Sequence, residues 1–282
     1  MPQTINTNLT SLNAQRNLNS SQLSLSTAMQ RLSSGLRVNS AKDDAAGLAI
    51  AERMNTQVRG MAVAMRNAND GISMSQVAEG ALSKVGDSLQ RMRELALQAR
   101  NATNSESDKE SLDQEFTQLQ EEISRVLGGT TFNGKRILGQ DASTFTFQIG
   151  ANTTADDVVA IGFANLASAA DVTAVTDAGV GIGSGVSVGA IASVIGDIDE
   201  AINRVNDTRA IYGATQSRFE AIISNLQVAV ENQTAARSRI MDADFAAETA
   251  NLARAQILQQ AGNAMVAQAN QLPQQVLRLL GN

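Results

Sequence analysis

Apolar side chains recur at alternating steps of three and four along most of this chain, the spacing that lines one seam of an α-helix. Ile5, Leu9 and Leu12 begin such a seam, and Leu25, Met29, Leu32 and Leu36 resume it in a shifted register before a polar break at 39–44. Met54, Val58, Met61, Met65, Ala68 and Ile72 then continue it, and Ala78, Leu82, Val85, Leu89, Met92, Ala96 and Ala99 repeat it after a slip of one residue. The pattern predicts a single helix over 44–100, roughly 80 Å long at ~1.5 Å per residue, which needs partners along its whole length. Residues 101–107 read as a polar turn, with Ser107 and Glu110 as a capping box. Leu112, Phe116, Leu119, Ile123 and Val126 form a second, antiparallel seam that Gly128 and Gly129 end.

From Thr130 the period changes to two. Phe145, Phe147 and Ile149 alternate with Thr144, Thr146 and Gln148, the pattern of a half-buried strand, and Asn133-Gly134 suits a hairpin turn. Residues 151–196 differ again: between Val158 and Gly196 only Asp171 and Asp177 are charged, and glycines are scattered among Val, Ala, Ser and Thr. That composition fits a small β-rich module or an irregular loop. Helical spacing returns with Ile198, Ile202 and Val205, and runs on through Tyr212, Phe219, Ile222, Leu226, Ala229, Ala236 and Ile240. The last seam is the most regular, with Ala255, Leu258, Gly262, Met265, Ala269, Leu272, Val276 and Leu279 stepping by three and four throughout.

The expected fold is mainly α, with long antiparallel helices, terminal coiled-coil helices, a small β-hairpin element and a short β-rich or irregular outer insert. Three divisions follow: 1–42 with 243–282, 43–150 with 197–242, and the insert 151–196. Residues 243–282 carry only Asp244, Glu248, Arg254 and Arg278 as charges, so a lone helix pair there leaves apolar and amide surface open to further copies.

Composition narrows the function. The chain has no Cys, His or Trp, which removes thiol catalysis, Ser-His-Asp triads, His-ligated haem and zinc sites of the usual kind. Aromatic residues at 3% supply few rings for a small-molecule pocket, so an enzyme is not expected. A net charge of −6 argues against nucleic acid as the main partner. No run approaches the roughly 20 apolar residues of a membrane span, and the N-terminal residues lack the basic and apolar regions of a Sec signal. Residues 129–135 have phosphate-loop spacing, but Arg136 stands where a hydroxyl should be and the segment follows a helix. Asp43 with Asp44, and Asp242 with Asp244, each precede an alanine-rich helical run and read as helix caps.

Several long motifs in order carry a resemblance. Ile5-Asn6-Thr7-Asn8 and Leu32-Ser33-Ser34-Gly35-Leu36-Arg37-Val38-Asn39-Ser40-Ala41-Lys42-Asp43-Asp44-Ala45-Ala46-Gly47 resemble the amino-terminal signature of the bacterial flagellins. Ser238-Arg239-Ile240-Met241-Asp242-Ala243-Asp244, Gln256-Ile257-Leu258-Gln259-Gln260-Ala261-Gly262-Asn263-Ala264-Met265 and Gln271-Leu272-Pro273-Gln274-Gln275-Val276-Leu277 are similar to their carboxyl-terminal signature. Phe132-Asn133-Gly134-Lys135 and Gln148-Ile149-Gly150-Ala151-Asn152 fit as well.

The resemblance implies a secreted subunit that polymerises with itself into an extracellular flagellar filament, without a cofactor or metal and without membrane or nucleic-acid binding. It implies that 1–42 and 243–282 form a coiled-coil inner tube, that 43–150 and 197–242 form the surrounding layer, and that 151–196 face solvent. The assembly seam would be Ala255, Leu258, Gly262, Met265, Ala269, Leu272, Val276 and Leu279 with Leu25, Met29, Leu32 and Leu36. Implied partners are an export chaperone at the C-terminal segment, a distal cap protein, junction proteins and the vertebrate Toll-like flagellin receptor. For that receptor the resemblance points to Arg91, Leu95 and Glu115. The alternatives are a hook–filament junction protein and, in another class, a surface-displayed enzyme. The junction reading lacks its Pro-Ser-Asp-Asp-Pro-type sequence at 40–46, and a metallopeptidase insert would need His residues that the chain does not have.

Overall fold

Helices dominate the computed structural model, which describes the backbone of residues 7–280 and the side chains of residues 7–271. In chain order the helices are α1 (Leu9–Ser34), α2 (Ala45–Ala99), α3 (Glu106–Gly129), α4 (Ala170–Thr176), α5 (Val188–Met241) and α6 (Phe245–Leu280). Between α3 and α4 lie the strands β1 (Thr131–Phe132), β2 (Lys135–Arg136), β3 (Thr144–Gln148) and β4 (Val158–Gly162). The chain divides into two compact units, Met1–Thr56 with Glu231–Asn282, and Gln57–Val230. Helices α2 and α5 each supply residues to both.

The expected slip in α2 does not occur. Its buried row passes through Ala64, Ala68, Gly71, Ser75, Ala78, Leu82, Val85, Leu89, Met92, Ala96 and Ala99, stepping by three and four without interruption. Gly71 and Ser75 carry the register where apolar residues are missing. Ser75 is fully buried, and its hydroxyl is satisfied by donating to the Gly71 carbonyl one turn back, 2.9 Å away. The capping box of α3 also lies two residues earlier than the sequence suggests: Ser105 Oγ accepts from Asp108 N–H, and Asp108 accepts from Ser105 N–H. Ser107 joins the first turn, and Glu110 instead accepts from Ser184 Oγ. The cap readings at the two breaks are met by one aspartate each. Asp44 Oδ1 accepts from Gly47 N–H, and Asp244 Oδ1 from Ala246 and Ala247 N–H.

Strands β1 and β2 pair across Asn133 (φ 48°) and Gly134 (φ 79°), the positive-φ pair of a tight two-residue hairpin. Strand β3 pairs antiparallel with β4, from Thr144 opposite Gly162 to Gln148 opposite Val158. Strand β4 belongs to the stretch expected to be an outer insert, and that stretch enters the core of the larger unit. Val159 and Ile161 point inward from β4, and Leu166, Val172, Val175, Ile182 and Ile191 join the same buried cluster. Phe163 packs edge-on against Phe145 and 5.1 Å from the Tyr212 ring, while Phe147 meets Phe219. The following loop is held to α3 by side chains: Gln120 Nε2 donates to the Val175 and Val180 carbonyls, and Asp113 Oδ1 accepts from Ile182 N–H at 2.6 Å. Residues 151–196 thus supply inward side chains to the core instead of forming a loose surface loop. Helix α5 likewise starts at Val188 instead of near 197, because Ser187 Oγ caps Ala190 N–H and Ile191 and Val194 extend the seam backwards from Ile198.

Tyr212, the single tyrosine, is fully buried, and its hydroxyl lies near the Ala164 backbone without a hydrogen bond of ordinary geometry. Burial disfavours the phenolate and pushes its pKa from 10.0 up to about 12. The folded chain thus holds this proton more tightly than the unfolded chain. The associated stability is intact below pH ~10 and is lost as pH rises towards the folded value.

Two outcomes are expected. In an alkaline titration the tyrosinate absorbance should rise near pH 12 or together with unfolding; a midpoint near 10 in a still-helical chain would contradict the burial of Tyr212. Deleting 155–194 behind a Gly/Ser linker should abolish cooperative thermal unfolding of the 57–230 unit, since it strips β3 of its partner and the core of its inward side chains. A sharp transition retained by the deletion would show that the core closes without them.

Candidate assembly interface

In the smaller unit α1 and α6 run antiparallel, as the order of their contacts shows. Asn8 Nδ2 donates to the Ala269 carbonyl and Ser11 Oγ to Asn270 Oδ1, each at 2.7 Å, while Leu18 meets Gly262 and Arg31 lies 3.9 Å from Glu248. The row of α6 facing α1 is Glu248, Leu252, Ala255, Gln259, Gly262, Val266 and Ala269, spaced by four and three. The answering row of α1 mixes small and polar residues with leucines: Ser11 and Ala28 are buried, and Ala14, Leu18, Ser21 and Leu25 are half-buried. Small side chains let the helices approach closely: a Cβ built on Gly262 would sit 3.1 Å from Leu18 Cδ1 and 3.8 Å from Leu18 Cα.

The predicted assembly seam therefore divides. Ala255 and Ala269 are buried and Gly262 is at the α1 contact, whereas Leu258 and Met265 are 50% and 58% exposed. On the other strand of the seam Leu25, Leu32 and Leu36 are half-buried and Met29 is exposed. The side chains of Leu272, Val276 and Leu279 lie outside the described residues. Counting apolar residues alone merged two adjacent rows of α6, because the true contact row is interrupted by Glu248 and Gln259. The signal that could have separated them is the seven-residue repeat of small residues at 255, 262 and 269.

Exposed apolar side chains are concentrated on this pair. Leu9, Leu12, Leu23, Met29, Phe245, Ile257, Leu258 and Met265 are all exposed. Beside them a groove of about 520 Å³ runs between the helices, lined by Ser20, Ser24, Thr27, Asn251, Arg254 and Leu258. Its floor holds Glu248, 9% exposed, whose charge faces Arg31.

The two breaks that bound the pair are joined to each other. Arg37 N–H donates to the Met241 carbonyl and Ala243 N–H to the Gly35 carbonyl, making a bridge between Leu36 and Asp242. Gly35 ends α1 at φ 70°, a conformation that costs glycine nothing, and its N–H returns to the Arg31 carbonyl. Asp43 steadies the first break by accepting from Asn39 N–H and from Ser40 N–H and Oγ, and the Ser40 hydroxyl above all holds its carboxyl below the usual value.

In the larger unit, Arg91 Nε donates to Glu115 Oε1 at 2.8 Å and Nη1 to Glu94 Oε2 at 3.0 Å. Arg91 and Glu115 are both solvent-accessible, so the resemblance-derived receptor residues include this exposed pair. Leu95 is fully buried beneath it, because positions 92, 95, 96 and 99 form the inward face of α2. Among the described residues no three carboxylates converge as a metal site, and no helix is long and apolar enough to cross a membrane.

Comparison with known proteins accords with this architecture. Residues 5–143 match the bacterial flagellin N-terminal helical region and 195–280 match the bacterial flagellin C-terminal helical region. A flagellin of Halalkalibacterium halodurans is 46% identical over 98% of this chain and 99% of its own length. A flagellin of Xenorhabdus nematophila is 43% identical over 99% of this chain and all of its own length. A solved chain from Vibrio parahaemolyticus, named for the flagellar hook-associated proteins, aligns with a TM-score of 0.58 over 71% of this chain and all of its own; at 12% identity it speaks for the fold alone.

Close packing at Gly262 has a testable consequence. Leucine improves helix propensity but overfills the contact with Leu18, at a cost of about 1–3 kcal/mol. Gly262→Leu should lower hydrogen-exchange protection along α1 and α6, while Gly262→Ala should change it little. Unchanged protection in the leucine variant would mean that the helices do not meet there.

Proposed function

The chain belongs to the bacterial flagellin family and is a structural subunit of the extracellular flagellar filament, and on that premise we propose that the exposed apolar surface of the α1–α6 pair is the surface through which copies polymerise. The observation that carries this reading is the concentration of exposed large apolar residues on one helix pair whose inward row is already occupied. Apolar side chains left in water on both helices gain free energy when another copy covers them.

The finer organisation rests on the same ground. Residues 1–42 and 243–282 build the inner tube, 43–150 and 197–242 the layer around it, and the solvent-facing positions of 151–196 its outer surface. Before assembly Ile257, Leu258 and Met265 need cover, which supports an export chaperone on the C-terminal segment. Cap and junction proteins would engage the same terminal helices at the ends of the polymer. The Arg91–Glu115 pair is the accessible part of the surface offered to the Toll-like receptor, with Leu95 supporting the helix beneath.

Leu258→Asp is the direct test. Half-exposed Leu258 tolerates a carboxylate in the free subunit, so the variant should unfold like the parent. At a buried contact between copies the same carboxylate costs several kcal/mol, and sedimentable polymer should disappear. Filaments of normal yield from Leu258→Asp would remove the Leu258 side of the pair from the assembly contact.

A further inference from the structure

Methionine is distributed unevenly between core and surface. Met61, Met74 and Met92 are buried and Met54, Met65 and Met241 half-buried, but Met29 and Met265 expose 55% and 58% of their surface. One lies on α1 and the other on α6. Neither thioether is used where the helices meet, because Ala28 makes the contact beside Met29, and Gly262, Val266 and Ala269 make it around Met265. In the free subunit both side chains are more than half exposed, on the helix pair assigned above to polymerisation.

We propose that Met29 and Met265 are oxidation sites at which a peroxide reversibly blocks polymerisation of free subunits; this rests on the assembly reading above. A sulfur lone pair attacks one oxygen of hydrogen peroxide, the O–O bond breaks, an S–O bond forms and water leaves. The sulfur loses two electrons and the peroxide gains them. The product is a polar, chiral sulfoxide where assembly requires an apolar surface, and burying its oxygen without a donor opposes subunit contact. Assembled subunits cover these side chains, so the modification acts on free chains. Sulfoxide reductases reverse the step, which makes the block recoverable.

The test uses the full chain. Monomer and preformed filament are treated with hydrogen peroxide, sulfoxide at each methionine is followed by peptide mass spectrometry, and polymer yield is read by sedimentation. Met29 and Met265 should oxidise first in the monomer and be protected in the filament. Yield from oxidised monomer should fall roughly tenfold or more, the loss expected from burying an unpaired polar group. Methionine sulfoxide reductase should restore it, and the double variant Met29→Leu/Met265→Leu should polymerise equally before and after treatment. Oxidised monomer that assembles at full yield, a double variant that still loses assembly on oxidation, or oxidation of the core methionines at the same rate would each overturn the proposal. Untreated parent that never polymerises would instead overturn the assembly reading, and the order of oxidation in the monomer would still decide whether these two thioethers are the reactive ones.

Discussion

In the contact between α1 and α6 the fully buried positions are small or polar and the leucines beside them stay half-exposed, and the character of the terminal unit follows from that constraint. Alanine, glycine and serine in the contact row bring the backbones close, and at Gly262 even an added Cβ would meet Leu18. Close approach maximises dispersion contacts, yet the area taken from water is modest. Polar contacts at the open end of the pair, from Asn8 to Ala269 and from Ser11 to Asn270, fix the register more than they add stability. Leucines, methionines and a phenylalanine are left pointing outward, where a monomer designed to stay alone would carry charge.

The larger unit is built the other way. Five of its seven aromatic rings pair up, Phe145 and Tyr212 with Phe163 and Phe147 with Phe219, and join the β3–β4 region to α5. Side-chain ion pairs such as Arg93 with Asp199 and Arg209 with Glu79 link α2 to α5 along the same unit. Exposed pairs of this kind contribute little stability each, so the core carries the fold and the charges keep the helix surfaces apart from wrong partners. The larger unit thus holds a closed aliphatic and aromatic core of its own, whereas the helix pair of the smaller one leaves more of its large apolar side chains exposed for its length.

Much of this was legible in the sequence. The extent of α2, the hairpin at Asn133-Gly134, the alternation of β3 and the capping aspartates all follow from local spacing and turn chemistry. What local patterns could not supply was long-range pairing. Nothing near 158–162 names β3 as its partner, and the glycines around 181 read as loop because Asp113, which orders that loop, lies far away in sequence. Seams built on apolar residues also failed where polar or small residues carry the contact. Ser75 in α2, and Glu248 and Gln259 in α6, hold positions that a hydrophobic count skips. For the expected assembly seam, the spacing named two helices that do pair within the chain, but it merged their inward and outward rows.

These rows have different thermodynamic consequences. The inward row acts within one chain, so its contribution to stability does not depend on concentration. On the proposed assembly, the outward row acts only when copies meet, and by mass action the stability it adds grows with the concentration of free subunits. A subunit with a weak inward row and an apolar outward row is therefore least ordered when dilute and most ordered when assembled. The bridge between Leu36 and Asp242 fits this division, because it ties the two breaks together through backbone hydrogen bonds that need no partner copy. Whatever fraying the terminal pair undergoes in the free chain is thereby limited at the breaks, and the two helices enter an assembly already side by side.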